Sequence, residues 1–509
     1  MKKFLRMLFS RITIIGLLLI LQIVTTVLLL NYISREHYFA VNLVFFALSI
    51  MVLLHLINRD MSPDLKIPWI VFLLILPTYG TLAYIMFSQN KVSFRQRKIF
   101  RKIVEKTNDA RKSQQIEKVD LSELGEYSGQ AKYLINTIGS PIYKYTETKY
   151  FACGEDFFDD LISQLQSAKK FIFMEYFIIE RGVMWNTIVD ILEKKANEGV
   201  DVRVTYDDFG CASKIPANYY LTLRKKGIKC YRINKLLPIV SVVHNNRSHR
   251  KITVIDGRVA YTGGVNLADE YINKKSKFGY WKDSVLRLSG EGVMEFTLMF
   301  LQNFGVQSKK DEDMKQFMVE SASSQASGYV IPFETGPRPI YPDYIGEDVV
   351  LNLIKSAKKY IYLTTPYLII DHEIKNALQT AAKSGVDVRI ITPGKPDKKI
   401  IYSITRYNYQ ALASEGVKIF EYTPGFMHSK SIIVDGEVGM ISTINLDYRS
   451  LVHHYECGVL MIKTKAIDEL KEDLDVVFDK CKYIQDAEKI IGKTERLFCG
   501  LINIFTPLL

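Results

Sequence analysis

The stretch His249-Arg-Lys-Ile-Thr-Val-Ile-Asp-Gly257 occurs a second time as His428-Ser-Lys-Ser-Ile-Ile-Val-Asp-Gly436. In an extended strand, residues two apart share a face, so each His-Lys pair projects from one side of the backbone. The β-prone, mostly apolar run Ile252–Ile255 fits a buried strand. Each copy leads into a turn of small residues and then an asparagine. The first has Gly263, Gly264 and Asn266, and the second has Ser442, Thr443 and Asn445. The spacing from histidine to asparagine is 17 in both. A single His-x-Lys pair occurs by chance in many strands; two copies with matched downstream residues do not.

The duplication extends upstream. Ser167-Ala-Lys-Lys-Phe-Ile-Phe-Met-Glu-Tyr-Phe177 recurs as Ser356-Ala-Lys-Lys-Tyr-Ile-Tyr-Leu-Thr-Thr-Pro-Tyr367, and Gly199-Val-Asp-Val-Arg-Val204 recurs as Gly385-Val-Asp-Val-Arg-Ile390. The order is the same in both halves, which marks an internal repeat. Each half reads helix, apolar strand, helix, strand, then the His-Lys-Asp strand. In the first half, helices are expected over 159–170 and 186–199, with strands over 171–179 and 200–206. This alternation predicts two homologous α/β lobes with mixed or largely parallel sheets. The lobes are expected at 131–308 and 328–509, joined by a charge- and serine-rich link at 309–327. The terminal segment 488–509, apolar with basic residues, reads as a packing helix or as one that touches a membrane surface.

The residue types suit phosphodiester chemistry. Transfer through a covalent intermediate needs a nucleophile and an acid for the leaving oxygen, and imidazole can serve as either. His249 and His428 can divide these roles between the lobes. Lys251 and Lys430, with Asn266, Asn445, Ser442, Thr443 and backbone amides at Gly264, would hold the charge that gathers on the non-bridging oxygens. Each imidazole also needs a partner to set its tautomer. Asp283, 34 residues after His249, and Glu456, 28 after His428, are the candidates, acting across the lobe interface. The motif aspartates Asp256 and Asp435 complete the candidate catalytic set, in a supporting role. His453 and His454 are candidates for phosphate contact, and His244 reads as a loop residue.

The chain has 509 residues, enough for two or three domains, and a formal net charge of +12 that favours an anionic partner. Its six cysteines include no C-x-x-C pair, so reduced thiols are expected and no zinc pattern is present. Three apolar runs open the chain, at 12–30, 39–57 and 67–87, each about long enough to cross a bilayer as a helix. Residues 1–88 therefore read as a membrane region of two or three hydrophobic helices, and 89–130 as a basic juxtamembrane linker. Lys91, Arg95, Arg97, Lys98, Arg101, Lys102 and Lys106 form the larger basic cluster. They place the adjoining catalytic region on the cytoplasmic side of the cell membrane.

These motifs resemble the phospholipase D superfamily, whose hallmark is the duplicated His-x-Lys-x4-Asp. The resemblance covers about residues 130 to 509. It implies a pseudo-two-fold active site, a phosphohistidine on one histidine, a general acid on the other, and neither metal nor cofactor. By analogy the nucleophile falls on His249 and the acid on His428. Within the superfamily the strings Phe173-Met-Glu-Tyr176, Tyr206-Asp-Asp-Phe-Gly210, Thr365-Pro-Tyr367 and Asn445-Leu-Asp-Tyr-Arg-Ser450 are similar to bacterial cardiolipin synthases. Those join two phosphatidylglycerols into cardiolipin and glycerol. The stretch Ile331-Pro-Phe-Glu-Thr-Gly336 matches that family only in part, which bears on the acceptor. Water as acceptor would make a hydrolase, and another alcohol a different phosphatidyltransferase. A membrane-tethered nuclease and a membrane-anchored binding protein with a dead site are the remaining alternatives. The apolar runs favour phosphatidylglycerol and other anionic lipids as partners over nucleic acid.

Overall fold

Both copies of the duplicated stretch form a central strand of a sheet. The structure, a computed structural model, describes residues 11–87, 94–113, 119–235, 246–309, 312–319, 326–338 and 340–508. His244, Lys91, the first ten residues and part of the expected link at 309–327 lie outside these.

The first sheet comprises β1 (Thr146–Phe151), β2 (Phe171–Tyr176), β3 (Asp201–Asp207), β4 (Lys229–Ile233), β5 (Lys251–Ile255), β6 (Val259–Gly263) and β8 (Val285–Gly290); β7 (Tyr280–Lys282) stands apart. The second comprises β9 (Tyr329–Thr335), β10 (Tyr360–Thr364), β12 (Asp387–Pro393), β13 (Lys418–Tyr422), β15 (Ser431–Val434), β16 (Val438–Ser442), β18 (Glu456–Ile462) and β19 (Cys481–Tyr483). Three short strands, β11 (Leu368–Ile369), β14 (Gly425–Met427) and β17 (Leu446–Asp447), lie outside it. The orders are β1-β8-β6-β5-β2-β3-β4 and β19-β13-β12-β10-β15-β16-β18-β9. Read from the opposite end, the second matches the first strand for strand, with β19 added at one edge. Both sheets are mixed. β2, β3 and β4 run parallel, as do β10, β12 and β13, and the remaining pairs in each sheet are antiparallel.

The sequence explains these elements. Every residue of β2 is buried, as expected of a strand covered on both faces. The helix Val183–Asn197 crosses from β2 to β3, and His372–Lys383 from β10 to β12. After each, the glycine of the repeated Gly-Val-Asp-Val-Arg takes positive φ, 90° at Gly199 and 92° at Gly385. That left-handed turn is costly for a residue with a Cβ, so the helix ends there. The arginine of the same repeat pairs twice with its own aspartate, Arg203 with Asp201 and Arg389 with Asp387.

The motif aspartates, expected in a supporting role, bond away from the histidines. Asp256 accepts hydrogen bonds from the amides of Lys169, Lys170 and Phe171, and Asp435 from those of Lys358, Lys359 and Tyr360. Both have φ 54°. They clamp the turn of the repeated Ser-Ala-Lys-Lys at the far end of the strand, about 20 Å of extended chain from the histidine.

The two lobes share one interior. Phe173, Ile252, Val254 and Leu286 of the first pack in the same cluster as Ile433, Ile441, Val459 and Met461 of the second. The segments before the first lobe pack on both lobes. The helix Phe94–Lys112 packs on Val293–Ser308, with Arg111 bonded to Glu295 at 2.9 and 2.7 Å. The helix Ser128–Ile138 packs on the second lobe through Gln130 and Ser356, 2.9 Å apart.

The first two apolar runs form one continuous helix, Arg11–Asn58. The segment between them, 31–38, holds neither proline nor glycine to break it. The third run divides at Pro77 into the helices Pro63–Ile75 and Pro77–Phe87, which pack together through Trp69, Leu73 and Tyr84. Several side chains of the first helix, 11–19 and 33–38 among them, lie outside those described. Among the described residues, no helix is long and apolar enough to cross a membrane.

Candidate active site

The two strands that carry the histidines meet where the lobes face each other. The backbone N–H of His249 donates to the Tyr455 carbonyl (2.9 Å), and the N–H of His428 donates to the Lys282 carbonyl (2.7 Å). β14, just before His428, pairs in parallel with β7, just before Asp283. Ser248, just before His249, bridges Tyr455, just before Glu456. The same exchange is made twice, once from each lobe.

This exchange brings each carboxylate to the histidine of the other lobe. Nδ1 of His249 lies 3.0 Å from both carboxylate oxygens of Glu456 and 3.1 Å from the Thr443 carbonyl. Nδ1 of His428 lies 2.6 Å from Oδ2 of Asp283. Asp283 and Glu456 are fully buried, and each histidine is only 7 % exposed. A buried carboxylate against Nδ1 holds the proton there and leaves Nε2 as the reactive nitrogen. Lys430 Nζ lies 2.9 Å from the same Nδ1 of His428 and also donates to the His428 carbonyl. Lys251 Nζ donates to the His249 carbonyl at 2.5 Å.

Burial dominates the electrostatics. It pulls His249 down to about 3, assisted by Lys251 and opposed by Glu456. Burial and Lys430 pull His428 down to about 4, against Asp283. Both imidazoles are therefore neutral at pH 7. Burial lowers Lys251 to about 7 and Lys430 to about 8, although both feel Asp283 and Glu456. The two carboxylates are pushed up by burial, but the facing histidines outweigh it and hold both below the usual range.

The small residues after each strand make room for these pairs. A Cβ on Gly264 would sit 1.9 Å from Oδ1 of Asp283, so only glycine fits there. In the second lobe the equivalent Thr443 donates its hydroxyl to Glu456 at 2.5 Å. Ser442 caps the turn by accepting from the Ile444 amide at 3.2 Å. Asn266 accepts from the Ile178 amide (3.0 Å) and donates to the Tyr271 hydroxyl (2.7 Å). Asn445 donates to Asp447 at 3.3 Å, while its own side-chain amide oxygen is buried without a partner among the described residues.

Several residues at this centre had no role in the sequence reading. Phe177 lies edge-on to His249 at 5.1 Å, while Trp281 and Tyr271 flank His428 at 5.0 and 5.5 Å. Glu175 accepts from the Ser248 hydroxyl at 2.5 Å, and Asp207 accepts from the Ser248 amide at 3.3 Å. Both acids are buried and so brace the backbone beside His249. Their signal lay in the quoted strings around 173–176 and 206–210, which carried no assigned chemistry.

The neighbouring histidines separate. His454 is buried, 5.6 Å from the His249 ring and 3.6 Å from Glu456. His453 instead turns Nε2 toward the Pro507 carbonyl at 3.3 Å. Among the described residues, His249, His454 and Glu456 bring ligand-type atoms within 4.8 Å of one another and so could hold a metal ion. Glu456 is already committed there to Nδ1 of His249.

Comparison with known proteins fits this geometry. The family described as "Cardiolipin synthase, PLD-like domain" matches residues 161–279 and 350–478, and "Phospholipase D-nuclease N-terminal" matches 47–89. A cardiolipin synthase of Alkalihalophilus pseudofirmus is 34 % identical over 476 residues, covering 90 % of this chain and 93 % of that one. One of Halalkalibacterium halodurans is 33 % identical over 473 residues, covering 90 % and 92 %. Among solved structures, phosphatidylserine synthase of Haemophilus influenzae aligns with a TM-score of 0.57 at 14 % identity, covering 75 % of this chain and 98 % of that one, a likeness of fold. With its duplicated lobes and these full-length relatives, the chain belongs to the phospholipase D-like cardiolipin synthase family.

Proposed function

We propose that this phosphatidyltransferase joins two phosphatidylglycerol molecules, releasing glycerol and forming cardiolipin. The observation that carries the reading is the reciprocal pairing of His249 with Glu456 and His428 with Asp283. Two histidines, each locked through Nδ1, supply one nucleophile and one acid at a shared, largely buried site.

In this reading Nε2 of His249 attacks the phosphorus of the first phosphatidylglycerol. The phosphorus–nitrogen bond forms as the bond to the headgroup glycerol oxygen breaks. Protonated His428 gives its proton to that oxygen, and glycerol leaves. His428, now neutral, takes the proton from a hydroxyl of the second phosphatidylglycerol as that oxygen attacks the phosphohistidine. His249 is released and His428 is again protonated, so the cycle closes. Burial holds His428 near 4; a bound phosphodiester anion raises its affinity for a proton. Lys251 and Lys430 face the non-bridging oxygens and stabilise their growing charge. Glu456 and Asp283 hold the imidazoles in place and favour the cationic forms.

The lipid substrate also gives residues 1–88 a purpose. They hold the enzyme on the bilayer, with the lobes on the cytoplasmic side beside Lys98, Arg101, Lys102 and Lys106. In support, the helix Arg11–Asn58 exposes Leu28, Leu29, Phe39, Leu43 and Val44. Purified protein given labelled phosphatidylglycerol in micelles is expected to form cardiolipin and free glycerol. Phosphatidic acid as the sole lipid product would reject the synthase and leave a hydrolase.

A further inference from the structure

Among the described residues, large exposed apolar side chains are concentrated in two regions. One is the N-terminal helices, and the other is the C-terminal helix Lys493–Asn503 with its following turn. Elsewhere they occur singly, as is normal for a protein surface. On the C-terminal helix Leu497, Phe498 and Leu501 are 70, 54 and 58 % exposed, and Phe505 continues the row. Positions 497, 501 and 505 recur every four residues, and 498 lies beside them, so the four make one stripe. The opposite side is held by the second lobe. Cys499 is buried, Glu495 accepts from the Ser403 hydroxyl at 2.6 Å, and Arg496 bonds to Gln410. The helix is thus docked on Lys399–Ala413 with its apolar face turned outward.

What lies beside that face points to its occupant. The turn Thr506–Leu508 packs on the helix Pro63–Ile75, which exposes Ile67, Leu74 and Ile75. The two apolar surfaces therefore come from neighbouring, packed elements. The same region is tied to the segment that leads into Glu456. His453 faces the Pro507 carbonyl at 3.3 Å, and Tyr448 donates to Asp64 at 3.2 Å.

We infer that the helix Lys493–Asn503 lies in the plane of the membrane interface, with Leu497, Phe498, Leu501 and Phe505 among the acyl chains. It joins the helices at 63–87 in a single lipid-facing platform. A helix with an apolar stripe of this kind and a polar back is suited to that position. The platform sets the angle at which the active-site opening meets the bilayer, because it bonds directly to the 447–455 segment. This rests on the lipid reading above and adds a second, in-plane contact to the N-terminal one.

The test places an environment-sensitive fluorophore at Phe498 of the full chain in phosphatidylglycerol proteoliposomes, and separately at Leu74. Blue-shifted emission at both, quenched by lipids carrying a quencher on the acyl chain, is expected. Water-like emission at 498 with lipid-like emission at 74 overturns the inference and leaves the N-terminal anchor standing. Water-like emission at both rejects the membrane reading itself. Emission at 498 that shifts only with protein density and ignores the lipid quencher identifies a second copy as the occupant, and also overturns the inference. As a second measurement, the double variant Leu497→Glu, Leu501→Glu should lower the ratio of turnover on bilayer to monomeric short-chain phosphatidylglycerol about tenfold. An unchanged ratio counts against it.

Discussion

Glu456 of the second lobe places both carboxylate oxygens 3.0 Å from Nδ1 of His249 in the first, across 207 residues of sequence. Asp283 returns the same contact to His428. The carboxylate on each Nδ1 comes from the other lobe, so this pairing exists only where the lobes meet. Glu456→Gln and Asp283→Asn keep the shape of each pair and remove its charge. Each is expected to lower kcat by about 10²–10⁴-fold, the range seen when an orienting carboxylate is neutralised elsewhere. KM should move little. Steady-state kinetics with phosphatidylglycerol decides this, and an unchanged kcat in either variant removes the orienting role.

The lysines set an alkaline limit. Their lowered values, about 7 for Lys251 and about 8 for Lys430, mean that positive charge is lost from the site as pH rises through that range. kcat/KM reports groups on the free enzyme, so it should fall between pH 7 and 9. Lys251→Arg keeps its charge throughout and should flatten the fall even if the maximal rate is lower. The pH profiles of the two proteins, measured side by side, check this.

Acid should destabilise the fold. His249 and His428 lie near 3 and 4 when folded and near 6.5 when unfolded, so below about pH 6.5 the unfolded chain binds more protons. Glu456 and Asp283, held low when folded, add to the loss as pH drops further. All four act in one direction, and each histidine contributes up to about 1.4 kcal/mol per pH unit. Thermal melts should show a falling Tm from pH 7 to pH 5. A variant with both histidines replaced by glutamine should show a shallower fall.

Gly264 is a sharp local test. Gly264→Ala sets a methyl where Oδ1 of Asp283 now lies, 1.9 Å away. The carboxylate must move, and with it His428. Overpacking of this kind costs about 1–3 kcal/mol of stability. The loss of kcat should exceed what that modest destabilisation explains. Activity measured well below the variant's own Tm separates the two effects.

The motif aspartates should behave oppositely. Asp256→Ala removes three hydrogen bonds to backbone amides and places alanine at φ 54°. A loss of about 2–4 kcal/mol in urea unfolding is expected. kcat per folded molecule should stay within a few-fold of the parent. A large drop in kcat at full stability would return Asp256 to the chemistry.

Much of this protein was legible in one dimension. The duplicated strings defined two α/β lobes, because a repeat of apolar strand, helix and His-Lys strand can bury its faces in few ways. The two His-Lys pairs announced the chemistry, since strand alternation alone puts both side chains of a pair on one face. The sequence suggested that Asp283 and Glu456 act across the lobe interface, but it did not carry the contacts that bring them there. The distance between Asp283 and His428 depends on β7 lying beside β14, a pairing between lobes with no local signature. The structural part played by Asp256 was hidden for the same reason. Its three partners stand 85 to 87 residues earlier, and only the fold brings their amides together. The chain wrote the chemical groups in local patterns. Tertiary packing decided which of them face one another, because burial and hydrogen-bond geometry act between segments far apart in sequence.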